Sequence, residues 1–173
     1  MKNKLFLFTI LTALVFALVA CGGNDTENAD DAETDNEEIT ETAYEAEDVS
    51  ENDVCEVCAM AVPDNQHATQ IVLTNDRSLK FDDIGCMHGW IDENGEDEIG
   101  TAFVRDFNTE EWFDFEEATF VYDEEIETPM AYGVISFADE AKAEEFVEEY
   151  GKGDLLNRAD LSKHEWKMNK EMM

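Results

Sequence analysis

Residues 22–53 hold fourteen Asp and Glu, no Lys or Arg, and only Ile39, Tyr44 and Val49 as large apolar side chains. Such a run buries too little apolar area to offset the loss of backbone entropy, and its like charges push it toward an extended conformation. It reads as a disordered acidic tether, which leaves the folding to residues 54–173.

Ahead of the tether stand Lys2 and Lys4, then the sixteen uncharged residues 5–20, which lead through Leu18-Val19-Ala20 into Cys21-Gly22. A charged start and an apolar run too short for a comfortable membrane span describe an export signal, residues 1–20. The small residues before Cys21 resemble a bacterial lipobox, which makes Cys21 the lipidated new N-terminus and 21–53 a lipid-anchored linker. The tether then holds the body off an anionic lipid surface of its own sign.

The body itself carries thirty acidic and nine basic residues, and the whole chain has a net charge of −33. With its basic residues scattered, it has no patch for phosphate, so nucleic acid is excluded as a partner. An excess of this size suits a saline or alkaline habitat, where net charge maintains solubility.

From residue 54 the pattern becomes apolar runs with punctuation. Ala68–Thr74 and Ser78–Asp82 read as strands joined by Asn75-Asp76-Arg77. Asp83 is the expected N-cap of a helix to about Glu93, with Ile84, Met87 and Ile91 on one stripe and Asn94-Gly95 as the stop. Gly100–Phe107 follows as a strand.

The same order recurs downstream. Ala118–Tyr122 and Ala131–Phe137 read as strands, Asp139 caps a helix through Tyr150 that Gly151 stops, and Leu155-Leu156 is a short strand. A last helix is expected from Ala159 to about Met172, with His164, Met168 and Met172 on one stripe. The class is therefore α+β with two repeated ββαβ units, at 54–110 and 111–173. Each is small enough that the halves should pack on each other or be joined by a shared sheet.

Besides Cys21, the cysteines are Cys55 and Cys58, in Val54-Cys-Glu-Val-Cys-Ala-Met60, and Cys86, in Phe81-Asp-Asp-Ile-Gly-Cys-Met-His88. Thiols and thioethers are soft donors that select Cu(I) over ions preferring oxygen. A closed zinc site wants a fourth ligand, for which His88 is the candidate. On one continuous helix, however, Cys86 and His88 lie about 200° apart and face opposite ways.

Cys86 falls in the first helical turn, where unpaired amides favour a thiolate while Asp82 and Asp83 oppose it. Met87 belongs to the core stripe and His67 to the surface. Three other readings of the cysteines stay open. They are a CxxC thiol–disulfide oxidoreductase with Cys86 resolving, a structural lipoprotein stapled by its cysteines, and, by fold analogy, a carbon–mercury lyase.

Cys55-x-x-Cys58-Ala-Met60, the block Lys80-Phe-Asp-Asp-Ile-Gly-Cys86-Met87 with Trp90 after it, Thr128-Pro-Met130, and Ser136-Phe-Ala-Asp before a helix ending Tyr150-Gly151 together resemble NosL, a family of copper-binding lipoproteins associated with nitrous oxide reductase maturation. The resemblance covers roughly residues 54–157. It implies a fold similar to organomercurial lyase, no enzymatic activity, and a Cu(I) chaperone outside the cytoplasmic membrane. Cys58, Met60 and Cys86 become the foremost ligands, with Cys55 and Met130 next; Met130 is nominated by the resemblance alone. The implied partner is a copper enzyme or its assembly complex, nitrous oxide reductase first and a terminal oxidase second. Ala59 stands where the family commonly has Gly, so a turn needing positive φ is disfavoured there.

Overall fold

The hairpin at Asn75–Arg77 starts the architecture. In the computed structural model, which describes residues 44–172, Asp76 takes φ 64° and the Arg77 N–H donates to the Asn75 side chain at 3.1 Å. Asp and Asn are the residues that accept such a turn at little cost. It pairs β1 (Thr69–Leu73) with β2 (Ser78–Phe81) antiparallel, Thr69 opposite Phe81. The expected export signal at residues 1–20, the expected lipidation site Cys21 and residues 22–43 lie outside the described residues.

Helix α1 (Ile84–Asn94) begins and ends as its caps dictate. The Asp83 carboxylate accepts the Gly85 N–H, and Gly95, at φ 79°, returns its N–H to the Ile91 carbonyl at 2.8 Å. Ile84, Met87 and Ile91 are buried as one face. Strand β3 (Ile99–Arg105) then adds to β1, and β4 (Trp112–Asp114), which has no counterpart in the sequence reading, adds to β3. The sheet order is β2-β1-β3-β4.

After a 3-10 turn at Phe115–Glu117 come β5 (Thr119–Tyr122), β6 (Val134–Phe137), α2 (Glu140–Tyr150) and β7 (Asp154–Leu156), with sheet order β6-β5-β7. Both sheets therefore set their strands in the order second, first, third. Asp139 caps α2 and Gly151, at φ 82°, ends it.

The halves share a core, because Phe120 and Val134 of the second sheet sit in the same buried cluster as Ile71, Leu79 and Phe81 of the first. At the seam, the Phe107 N–H donates to the Ser136 carbonyl at 2.8 Å and the Ser136 hydroxyl to the Arg105 carbonyl at 2.8 Å.

Three expectations are corrected. The final helix, α3, covers only Arg158–Leu161. Beyond it the His164 ring packs on Tyr122 and Trp166, while Trp166 packs on His88 and Tyr132. The Asn169 N–H donates to the Ala131 carbonyl at 2.8 Å. Burying those aromatic faces outweighs continuing a helix of polar residues, so His164, Met168 and Met172 form no helical stripe.

Second, the linker reading fails over Tyr44–Asp53. Lys80, buried on the far face of β2, donates to the Glu47 carbonyl at 2.8 Å and to Gln70 Oε1 at 2.7 Å. Glu47 and Gln70 exchange a further pair of hydrogen bonds, both 3.0 Å, and the Tyr44 ring lies on Gly100 in the space a Cβ would occupy. One buried ammonium and a tyrosine thus hold this stretch against its own charge. Third, His67 is half-buried, its ring edge-on to Phe107. No helix among the described residues is long and apolar enough to cross a membrane.

Candidate metal centre

The Cys-x-x-Cys segment is a closed loop. Val54 and Ala61 form an isolated antiparallel bridge, the Cys55 N–H donates to the Met60 carbonyl at 2.8 Å, and the Ala59 N–H to the Cys55 carbonyl at 2.9 Å. Closing so short a loop takes a left-handed residue, and Ala59 supplies it at φ 58°. The expectation that Ala would disfavour this turn is corrected: loop hydrogen bonds hold Ala59 where Gly would sit without strain.

A further bond, Glu56 N–H to the Lys80 carbonyl at 3.1 Å, moors the loop to β2. Asp82 follows directly after β2, and Cys86 sits in the first turn of α1 beyond its Asp83 cap. The donor atoms of Cys55, Cys58, Asp82 and Cys86 all lie within 4.8 Å of one another. Cys55, Asp82 and Cys86 are buried and Cys58 is half-buried, so the cluster meets solvent on the Cys58 side. All three cysteines are free thiols.

The thiols are not equivalent. A hydrogen bond from the Cys86 thiol, joined by the backbone N–H groups of Cys58, Asp82 and Val57, outweighs burial and lowers Cys55 to about 4. Burial pushes Cys58 up to about 12, and its thiol donates to Asp82 Oδ2 at 3.3 Å. Cys86 is raised by its bond to Cys55 and then by burial. Burial lifts Asp82 to about 6. Cys55 is thus the thiol of the three that is eased toward thiolate, and Asp82 Oδ1 is buried without a hydrogen-bond partner.

The remaining sequence candidates fall around this centre. Met60 is 48 % exposed, at the rim of the same loop. Met130 is half-buried among the residues packed on the core, and its N–H donates to Asp83 Oδ2 at 3.0 Å. His88 stands apart with its Nδ1 3.3 Å from Asp92 and its ring on Trp166. The geometric argument that Cys86 and His88 cannot share an ion therefore agrees with their placement.

Asp82 is the residue that sequence reasoning passed over, weighing it only as a charge near the helix start. One signal was available. Strand alternation sets Lys80 and Asp82 on the face opposite Leu79 and Phe81, and two charges on one strand face adjoining a Cys-containing helix turn mark a polar interior.

The NosL family model matches residues 46–166 of the chain. The chain belongs to the NosL family. The structure is also similar to the crystal structure of the copper chaperone NosL from Shewanella denitrificans, with TM-score 0.60 and 17% identity, over 67% of this chain and 94% of that one. At that identity the likeness speaks to the shared fold, a mixed α/β arrangement with antiparallel sheets. No curated protein sequence matches the chain. Within this NosL fold, the Phe-Asp-Asp-Ile-Gly-Cys block links the other quoted motifs: the Cys-x-x-Cys loop bonds to the Lys80 carbonyl before it, and Met130 bonds to its Asp83 carboxylate.

Proposed function

We propose that the protein is an extracytoplasmic Cu(I) carrier, anchored to the cell membrane through lipid on Cys21, that hands copper to a copper enzyme: nitrous oxide reductase first, a terminal oxidase second. The observation that carries this reading is the convergence of three free thiols on a point open to solvent at Cys58. Membership of the NosL family, and the solved relative described as a copper chaperone, support it. The common strand order of the two sheets supports reading them as two copies of one ββαβ unit behind an acidic tether.

The chemistry is ligand exchange and not catalysis. Cu(I) keeps its charge throughout, and each thiol that binds it gives a proton to water. Cys55, the thiol held below its ordinary value, gives up its proton at least cost, whereas Cys58 and Cys86, both raised, release theirs only as their sulfurs bind. Met60, at the exposed rim, is the thioether an incoming ion or an acceptor meets first, and Met130 is held beside the helix turn of Cys86 by its N–H bond to Asp83. A half-open site of soft donors lets an acceptor's sulfur replace Cys58 and draw the ion away.

An anaerobic titration of the reduced full chain in detergent, with Cu(I) and then Zn(II) against chelators of known affinity, tests the reading. A Cu(I) preference that Cys58→Ser weakens while the circular dichroism is unchanged supports it. Rapid insulin reduction without copper binding would transfer support to the oxidoreductase reading. Export is tested separately, since Cys21→Ala should shed the protein from the membrane.

A further inference from the structure

A carboxylate among three thiols is an unexpected donor for a Cu(I) carrier. Cu(I) is soft and is satisfied by two or three sulfurs, so an oxygen adds little to its binding. Asp82 is nonetheless 1 % exposed, its Oδ1 has no hydrogen-bond partner, and its carboxylate lies within 4.8 Å of all three sulfurs. Leaving a buried carboxylate oxygen unpaired is costly, and the cost is removed if that oxygen faces a cation.

We propose that Cys55, Cys58, Cys86 and Asp82 form a second metal state of the same centre, a closed site of three sulfurs and one oxygen for a borderline divalent ion such as Zn(II) or Co(II), with Asp82 the residue that decides between divalent and monovalent occupancy. Donor count and charge both favour this assignment. Zn(II) takes four ligands in a tetrahedron and accepts thiolate and carboxylate together. A dication also gains roughly twice the Coulomb attraction of Cu(I) from the same carboxylate.

On binding, Oδ2 gives up the Cys58 thiol proton as that sulfur bonds the ion, and Oδ1 or Oδ2 becomes the fourth ligand. The protons of Cys58 and Cys86 pass to water, and no electron moves. The closed state holds its ion, whereas the Cu(I) state leaves Asp82 outside and keeps the Cys58 side open for exchange. This inference rests on the same site as the proposed function but not on its copper chemistry.

The test uses Co(II) and Zn(II) on the reduced full chain in detergent, without oxygen. Tetrahedral cobalt bands with thiolate charge transfer, and X-ray absorption showing three sulfur neighbours and one oxygen, are expected. Asp82→Asn should weaken Co(II) and Zn(II) by at least about 100-fold, more than loss of an outer-shell partner does, while Cu(I) affinity changes by less than about tenfold. A pale octahedral cobalt spectrum, an all-sulfur shell, or equal losses for both metals would overturn the proposal. If Asp82→Asn fails to fold, the wild-type cobalt spectrum and scatterer count still decide. A chain that binds Co(II) this way but not Cu(I) sinks the carrier reading and leaves this one standing; the reverse result does the opposite.

Discussion

Asp83 and Met130, separated by 47 residues, are joined by a 3.0 Å hydrogen bond from the Met130 N–H to Asp83 Oδ2 while Asp83 Oδ1 caps α1 at Gly85. One buried carboxylate thus fixes both the helix turn that carries Cys86 and the turn that carries Met130. The two soft-donor segments cannot shift independently.

Replacing that carboxylate should therefore act twice. Asp83→Ala loses the cap and leaves the Met130 N–H unpaired, for a combined cost of about 2–4 kcal/mol. Asp83→Ser can still cap but is too short to reach Met130, and should recover only part of the loss. Urea unfolding of the apo protein compares the three.

Gly85 is dictated by Tyr132. A Cβ at Gly85 would stand 2.2 Å from the Tyr132 ring, so Gly85→Ala should destabilise the fold by about 1–3 kcal/mol through overpacking. Pairing it with Tyr132→Ala removes the clash, and the double variant should then melt no lower than Tyr132→Ala alone. A further drop in the double variant would show that Gly85 serves some other purpose.

Ala59 holds its left-handed conformation at a cost of about 1–2 kcal/mol. Ala59→Gly relieves it and costs about 0.4–1 kcal/mol in unfolded-chain entropy, leaving a net gain of about 0.5–1 kcal/mol. Thermal melts of the metal-free protein should rise by a few degrees.

The centre also writes a pH signature on apo stability. Cys55 is lowered from 9.0 to about 4, so its contribution is present above the unfolded value and is lost as pH falls through about 4. Asp82 is raised from 3.8 to about 6, so its contribution is present below 3.8 and is lost as pH rises through about 6. The two oppose one another between about pH 4 and 6, and from about 6 to 9 the Cys55 thiolate acts alone. Denaturant midpoints should climb over that upper window more steeply in the wild type than in Cys55→Ser, and Asp82→Asn should make the lower window rise. Parallel curves for all three proteins would refute the assignment.

A net charge of −33 predicts a salt dependence of its own. Screening shortens the reach of self-repulsion from about 10 Å at 0.1 M to about 3 Å at 1 M, so the melting temperature should rise with added KCl. Equal stability in dilute buffer would remove the saline-habitat reading.

Local rules were legible where neighbours in sequence settle the matter. The Asp83 and Asp139 caps, the Gly95 and Gly151 stops, the hairpin at Asp76 and the buried stripe of Ile84, Met87 and Ile91 follow from side chains acting on their own backbone or on one helix face. The three body cysteines were legible as well, because soft donors are rare enough to be singled out. The overlooked parts depend on distant segments. Strand β4 needs the edge of β3, the Tyr44–Asp53 stretch needs Lys80, and the tail after Leu161 needs the aromatic faces of His88, Tyr122 and Tyr132.

By itself, then, the sequence determined the two capped helices, the strands beside them and the supply of soft donors, since these are set within a few residues of chain. Only the tertiary structure decided that Asp82 would join Cys55, Cys58 and Cys86, and that Ala59 would accept a left-handed turn. Burial creates both outcomes. A carboxylate becomes a candidate ligand when packing strips its water and leaves an oxygen unpaired, and a strained alanine persists when the hydrogen bonds around it outweigh its strain.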